Sequence, residues 1–376
     1  MLFETPQLDA AERSVEADIN ELREQLQYRL RRPQRWHGLL RRMARGRASR
    51  GSNSIEGYHA SLDDALAVAD GVDPLDATDD TRRALVGYRD AMTYVGQLAD
   101  DPRPSYSADL LRSLHFIMMS ADMDARPGQW RIGDIFVRDE AREVTVYRGP
   151  DVDDVPRLVD ELVRSLNEPV ASESGLVRAA MAHLNLVMIH PFRDGNGRMA
   201  RCLQSLVLAR EGVGDRIFGS LEEYLGANTQ AYYDVLGVMG GGSWHPERDA
   251  RPWIRFVLTA HLRQGRIELR RLRETMQLWE ELERTAEQLS LPERTLSALA
   301  VAAQGLRVRN ATYRAMTENL TDEGASRDLR RLTDAGLLVP VGEKRGRFYR
   351  AAPQLTALRQ AMVAERDPRE LADPFQ

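Results

Sequence analysis

The segment HLNLVMIHPFRDGNGRMARCLQSLVL, residues 183–208, constrains this chain more than any other. Val177, Met181, Leu184 and Met188 recur on one helical face, which predicts a packed helix. Pro191 has no backbone N–H and stops that helix just after His190. Gly195 and Gly197 then permit a tight backbone path. A second helix follows, with Arg198 and Arg201 on one side and Met199, Cys202, Leu203 and Leu206 on the other.

Such a loop is a nest of amides at a helix N-terminus, where free N–H groups and the helix dipole favour an anion. The guanidiniums of Arg198 and Arg201 extend that positive field and suit phosphate oxygens. Asp194 offers one oxygen ligand for Mg²⁺, with water and phosphate completing the shell. His190, at the loop entrance, is placed as a general base near neutral pH. These are the parts for transfer of a phosphorus-containing group.

The 376 residues provide for two or three domains, and 43% hydrophobic with 29% charged residues reads as globular. A formal charge of −5 gives no global reason to expect nucleic acid or a membrane surface. The single cysteine, Cys202, excludes an internal disulfide framework and reads as a small buried hydrophobe. Without a signal-like N-terminus or an 18-residue apolar run, the expectation is a cytoplasmic protein without membrane contact.

Helical spacing covers residues 8–48 with a break near Arg32-Pro33, then 60–70 and 80–98. Pro102 and Pro104 mark a connector, and IFVRDEAREVTVY (135–147) reads as a β-hairpin. Further helices are expected at 152–167, 173–189, 198–211, 228–239 and 250–287. Ser290 and Glu293 form a capping-box pattern opening the C-terminal part. Two short helices, a third closed by Gly336 and a hairpin at GEKRG then make a winged helix-turn-helix pattern. The expected organisation is an N-terminal helical region 1–100, a core 101–265, a connecting helix 266–289 and a winged-helix domain and tail 290–376.

HPFRDGNGRMAR (190–201) matches all eight fixed positions of the Fic signature, H-x-F-x-(D/E)-G-N-G-R-x-x-R, and the chain thereby resembles the Fic family. The resemblance extends from the hairpin, preceded by PGQWR (127–131), to Tyr232-Tyr233. It implies a mainly α fold: a Fic helical core with a short β-hairpin flap, here with the C-terminal winged helix appended. It also implies transfer of AMP from ATP, with Mg²⁺, to a Ser, Thr or Tyr hydroxyl of a target protein.

Carried over residue by residue, His190 is the base and Asp194 the metal ligand. Gly195, Asn196 and Gly197 form the anion hole, while Arg198 and Arg201 hold the outer phosphates and Phe192 anchors the loop. Flap backbone near Val137 aligns the target, and Tyr232 and Tyr233 line the nucleoside side. The stretch after that pair, VLGVMGGGSW, lacks an Asn with which some relatives contact the base. Phosphocholine-transferring relatives can keep the same signature.

SNSIEG (52–57) fits the family's inhibitory motif, (S/T)-x-x-x-(E/D)-(G/N), through Ser52, Glu56 and Gly57. Placed upstream of the signature, as in class II Fic proteins, it implies that Glu56 pairs with Arg201 and restrains the site. Removal of AMP by the same site is an alternative, as is a nucleotide-sensing DNA-binding regulator. The partners implied are ATP, a target protein and the chain itself as a target, with a homodimer and DNA left open. Arg327, Arg330 and Arg331, with Lys344, Arg345 and Arg347, carry the DNA reading. Asp322, Glu323 and Asp328 oppose it and favour a protein-interaction module. His37, His59, His115, His183, His245 and His261 lack metal-ligand spacing and read as structural or surface residues.

Overall fold

The computed structural model describes residues 1–101, 105–139, 144–168, 170, 173–213, 220–343, 346–364 and 372–375. Helix α1 (Ala10–Leu30) opens on a reciprocal capping box between Asp9 and Glu12. Glu12 is buried, and its carboxylate also accepts hydrogen bonds from Arg251 and Arg255 far along the chain. Helices α2 (His37–Ile55), α3 (Leu62–Ala69) and α4 (Asp79–Ala99) follow, the last two started by Ser61 and Thr78 side-chain caps. After α5 (Ala108–Met119), strands β1 (Phe136–Asp139) and β2 (Val144–Arg148) pair antiparallel, with Val137 opposite Tyr147. The expected hairpin tip, 140–143, lies outside the described residues.

Helix α6 (Val155–Asn167) leads to α7 (Gly175–Ile189) and α8 (Asn196–Arg210), which pack together at the centre of the molecule. Thirteen of the fifteen residues of α7 are buried, so it is sealed on all sides rather than on one apolar face. Helix α8 begins at Asn196, two residues earlier than the sequence pattern placed it, because Gly195 adopts φ +76° as its N-cap. Helix α9 (Glu222–Ala227), not expected from the sequence, precedes α10 (Thr229–Gly240). Strand β3 (Gly242–Ser243) then joins β2 in parallel.

Helix α11 (Arg251–Gln288) runs 38 residues, about 57 Å at 1.5 Å per residue, through position 265 without a break. It packs on α1, α7, α9 and α10, and the Trp253 indole donates to the Ala180 carbonyl of α7.

The C-terminal part comprises α12 (Thr295–Ala303), α13 (Asn310–Met316), α14 (Asp322–Asp334), the antiparallel pair β4 (Leu338–Val341) and β5 (Phe348–Ala351), and α15 (Pro353–Ala364). The expected capping box at Ser290 is absent: Ser290 takes φ +52°, and α12 starts only at Thr295, with Arg294 as its N-cap. Arg307 ties this part to the N-terminal helices. Its guanidinium reaches Asp76 at 2.6 Å and Asp63 at 3.4 Å, and its N–H donates to Asp63.

On α14, Arg327, Arg330 and Arg331 are exposed, whereas Asp328 is buried. Asp328 accepts from Arg294 at 2.6 and 2.9 Å and from the Tyr313 hydroxyl at 3.1 Å. Its charge is therefore neutralised internally and does not oppose a phosphate at the surface. Lys344 and Arg345 lie outside the described residues. No described helix is long and apolar enough to cross a membrane.

Candidate functional site

The site forms where α7 ends and α8 begins. His190 closes α7 in the left-handed conformation, φ +52° and ψ +57°. Several carbonyls near this helix end meet a donor. Leu186 accepts the His190 N–H, Met188 accepts the Tyr147 hydroxyl at 2.6 Å, and His190 accepts Arg131 Nε at 3.0 Å. His190 Nδ1 lies 2.9 Å from the Val187 carbonyl, which can only accept. The proton therefore sits on Nδ1, and Nε2 carries the lone pair. Burial pushes the imidazole below its ordinary range, so the ring is neutral at pH 7.

The loop is locked from within. The Asn196 side chain accepts the Phe192 N–H and donates to the Phe192 carbonyl, both at 2.9 Å. Phe192 is fully buried and stacks on His115, with ring centroids 3.7 Å apart. His115 bridges two segments: Nδ1 accepts the Gly128 N–H at 2.9 Å, and Nε2 donates to the Asp194 carbonyl at 3.0 Å. Burial lowers its pKa to about 4, keeping it neutral as that bridge requires. Arg131 further ties the loop to the flap, its guanidinium donating to the carbonyls of His190, Gly133 and Pro150 and its N–H to Pro191.

The first helical bond of α8 runs from the Met199 N–H to the Gly195 carbonyl, leaving the N–H groups of Asn196, Gly197 and Arg198 at the free end of the helix. Asp194 is half-exposed at their rim and accepts the Gly195 N–H at 2.6 Å. Arg198 is 2% exposed, with its guanidinium 5.2 Å from the centre of the Tyr58 ring and its Nε buried without a hydrogen-bond partner. Arg201 is 1% exposed. Nε donates to Ser52 Oγ at 2.8 Å, and Nη2 donates to the Ser52 carbonyl at 3.0 Å and to Glu56 Oε1 at 2.6 Å. Nη1 has no hydrogen-bond partner. Burial opposes the charge on Arg201, but the Glu56 carboxylate outweighs it and the net shift is upward.

Glu56 reaches this position because α2 stops on it. Gly57 takes φ +83°, its N–H and that of Tyr58 bond back to Ser54 and Asn53, and the last turn faces α8. A Cβ on Gly197 would collide with Glu56 Oε1 and come within 3.2 Å of Arg201 Nη1. The carboxylate thus lies against the first turn of α8, at the place that helix offers to an anion.

Of the tyrosine pair, Tyr232 is 1% exposed and donates to His183 Nε2 at 2.9 Å, while His183 Nδ1 donates to Gln204. Tyr233 is 46% exposed and its hydroxyl donates to the Ile55 carbonyl at the end of α2. Val137 is half-buried on β1. The structure thus brings His190, Asp194, Asn196, Gly197, Arg198, Arg201, Ser52 and Glu56 together, and it leaves Tyr232 beneath them in the core. His115 and the Asn196 side chain escaped sequence reasoning, since neither spacing nor composition marks a stacking or loop-clamping partner. Arg131 was legible only as part of PGQWR.

These features define a helical domain with an anion-receptive helix–loop–helix beneath a β flap. The Fic/DOC family model matches residues 105–208 of this chain. Among curated relatives, it is 27% identical over 178 residues to a protein from Nematostella vectensis named protein adenylyltransferase Fic, covering 46% of this chain and 36% of that protein. It is 37% identical over 122 residues to protein adenylyltransferase fic-1 of Caenorhabditis elegans, covering 31% of this chain and 22% of that one. The matches therefore span about a fifth to a third of those relatives' lengths. The crystal structure of a Fic family protein from Desulfovibrio desulfuricans G20 has the same fold over 93% of this chain and 98% of its own, with TM-score 0.58 and 21% identity. Fic-1 from C. elegans (residues 134–508) aligns with TM-score 0.54 and 24% identity over 70% of this chain and 73% of its own.

Proposed function

We propose that this protein transfers AMP from ATP to a Ser, Thr or Tyr hydroxyl of a target protein and is held inactive by Glu56. The observation that carries the reading is the joint placement of a tautomer-fixed His190 and a resident carboxylate at the free end of α8. The donor set fits a triphosphate. It comprises helix-end amides, Arg198 with a buried unpartnered Nε, and Arg201 with a buried unpartnered Nη1. Asp194, half-exposed beside them, fits a Mg²⁺ ion that takes its remaining ligands from phosphate and water. When bound, that ion would neutralise phosphate charge.

His190 Nε2 takes the proton of the target hydroxyl, and the hydroxyl oxygen bonds to the α-phosphorus as the bond to pyrophosphate breaks. The amides at Asn196 and Gly197 stabilise charge on the α-phosphate, where preorganised donors count most. The Asn196 side chain is spent on clamping Phe192, so its contribution to the anion is through its backbone. Arg198 and Arg201 hold the outer phosphates. Tyr233, the exposed member of the pair, is the one that faces the nucleoside. Flap backbone at Val137 aligns the target by strand-like pairing.

The likeness to proteins named adenylyltransferases supports AMP as the transferred group. Incubation with ATP labelled on the α-phosphate and Mg²⁺ tests the reading. Label should enter protein, rise in Glu56→Gly and vanish in Glu56→Gly/His190→Ala. Absence of label from every variant across a cell lysate would refute it.

The C-terminal helices α12–α14 with β4 and β5 we read as a winged helix. The outward Arg327, Arg330 and Arg331, with Asp328 neutralised within, favour a nucleic-acid face. Duplex DNA binding that weakens steeply with salt supports this, and salt-insensitive or absent binding returns the module to protein contacts.

A further inference from the structure

Outside the Fic site, one cavity combines a built volume with an unusual density of cations. It measures about 260 Å³ and lies among α2, α9, α11 and α15. Arg47 and Arg50 of α2, Arg270 and Arg271 of α11 and Arg359 of α15 line it, against Glu223 and Glu274.

Glu223 is the resident counter-charge. Its two carboxylate oxygens accept from Arg271 at 2.6 and 2.7 Å, and one lies 4.0 Å from Arg47 Nε. Arg271 is shared with Glu268 at 2.6 Å, and Arg270 lies 3.4 Å from Glu274. Glu223 and Glu268 are thus committed to Arg271, and Arg47 of α2 meets Glu223 only at 4.0 Å. Burial, with the neighbouring Arg271 charge, pulls Arg47 down to about 10.

Five guanidiniums around a volume of this size form planar donor forks suited to phosphate oxygens. The arrangement repeats that of the Fic site, where a carboxylate of the chain also occupies the place of an anion.

The cavity also connects physically to Glu56. Arg47, Arg50 and Glu56 lie along the last three turns of the same helix and its cap. Helix α2 touches α9 backbone to backbone: a Cβ on Gly51 would collide with the Glu222 carbonyl, and one on Gly226 would strike Gly51. Glu222 itself faces inward, accepting from Tyr88 at 2.8 Å and from Ser205 of α8 at 3.0 Å. A shift of Glu223 thus reaches α2 through a backbone contact with no compressible side chain between, and α8 through the Glu222–Ser205 hydrogen bond.

We propose that this cavity is a second anion site, taking a small phosphate-bearing molecule, and that its occupancy is coupled to the Glu56 end of α2. The incoming phosphate displaces Glu223 from the arginines, and α9 and α2 move with it. The proposal does not rest on the transfer reaction, since its readouts are binding and amide exchange.

Inorganic pyrophosphate is the probe, titrated calorimetrically into the full chain. Arg198→Gln weakens the Fic site and should leave one binding event. Arg50→Gln, at an exposed position, should weaken that event about 10-fold with an unchanged melting temperature. Glu223→Gln should tighten it, a sign that loss of a structural ion pair alone would not produce. Pyrophosphate should also speed hydrogen exchange of amides 50–58 in the Arg198→Gln protein. Loss of all binding in Arg198→Gln, or binding indifferent to both Arg50→Gln and Glu223→Gln, overturns the site. Unchanged exchange at 50–58 with intact binding overturns the coupling.

Discussion

Replacing Glu56 by Gln tests the restraint most directly, because it removes the charge and keeps the shape. Arg201 is 1% exposed and loses the 2.6 Å bond to Glu56, its only short carboxylate contact among the described residues. Removing one partner of a buried pair typically costs about 3–5 kcal/mol. Glu56 is 23% exposed on its side chain, and Ser52 still offers two acceptors to the same guanidinium, so the cost here should fall to about 2 kcal/mol. For a chain of this size that lowers the melting temperature by about 2.5 °C.

The same change acts oppositely on ATP. In the native chain the outer phosphates must first displace a charge-assisted hydrogen bond, which contributes about 1.5–3 kcal/mol. Glu56→Gln should therefore bind ATP about 10- to 100-fold more tightly, and excess ATP should recover more of its melting temperature than it adds to the native protein. Calorimetry and thermal melts with and without ATP measure both. Equal melting temperatures and equal gains from ATP would show that the Glu56–Arg201 contact carries no restraint.

Arg201→Ala placed in a Glu56→Gly background should lose most of the label transfer, because Arg201 serves the phosphate as well as the restraint; full activity in α-labelled ATP assays would remove that role. Asn196→Ala should leave the helices folded but cut turnover about 10- to 100-fold at unchanged KM for the target, since the Phe192 clamp is lost, and stopped-time label transfer reads it. The acid limb of the rate profile should lie below pH 6.5, because His190 is held below its ordinary pKa and stays neutral, hence basic, until that lower value; a pH–rate profile of Glu56→Gly checks it. Stability should also fall on acidification. Burial depresses His183 and His261 to about 3 and His115 to about 4, so the unfolded chain binds protons first. Stability is complete above about pH 6.5 and declines below it by about 1.4 kcal/mol per pH unit per histidine, which urea melts at pH 7 and pH 5 measure.

The chemistry-bearing loop was legible because its constraints are local. A buried helix, a proline stop and two glycines leave the backbone between His190 and Arg198 few paths. The α2 cap was legible for a similar reason, with Gly57 supplying the one positive φ that ends the helix on Glu56. What stayed hidden depends on contacts far apart in sequence. Nothing in the spacing of Tyr232 reveals that it bonds His183 in the core, while Tyr233 reaches the Ile55 carbonyl. Asp328 looked like surface charge on an amphipathic helix, yet Arg294, 34 residues away, draws it inward. Short α9 escaped because six residues with two leading glutamates carry too little periodicity to register.

The geometry also separates two ways in which a carboxylate can silence a site. One is displacement, in which the arginine is pulled away and must swing back before phosphate binds. The other is occupation, in which the arginine is already placed and only its counter-ion must leave. Arg201 is anchored through Nε and Nη2 to Ser52 independently of its bond to Glu56, and Nη1 is without a hydrogen-bond partner. Ser52 is itself fully buried on α2, so the anchor is as rigid as the helix. This geometry fits occupation: Arg201 already stands beside the free end of α8, and only the Glu56 side chain must leave. Ser52→Ala should then behave unlike Glu56→Gln. It leaves Glu56 in place but removes the Nε anchor and keeps only the carbonyl bond, so it should lower activity in a Glu56→Gly background instead of raising it. A Ser52→Ala/Glu56→Gly protein as active as Glu56→Gly in label transfer would favour displacement.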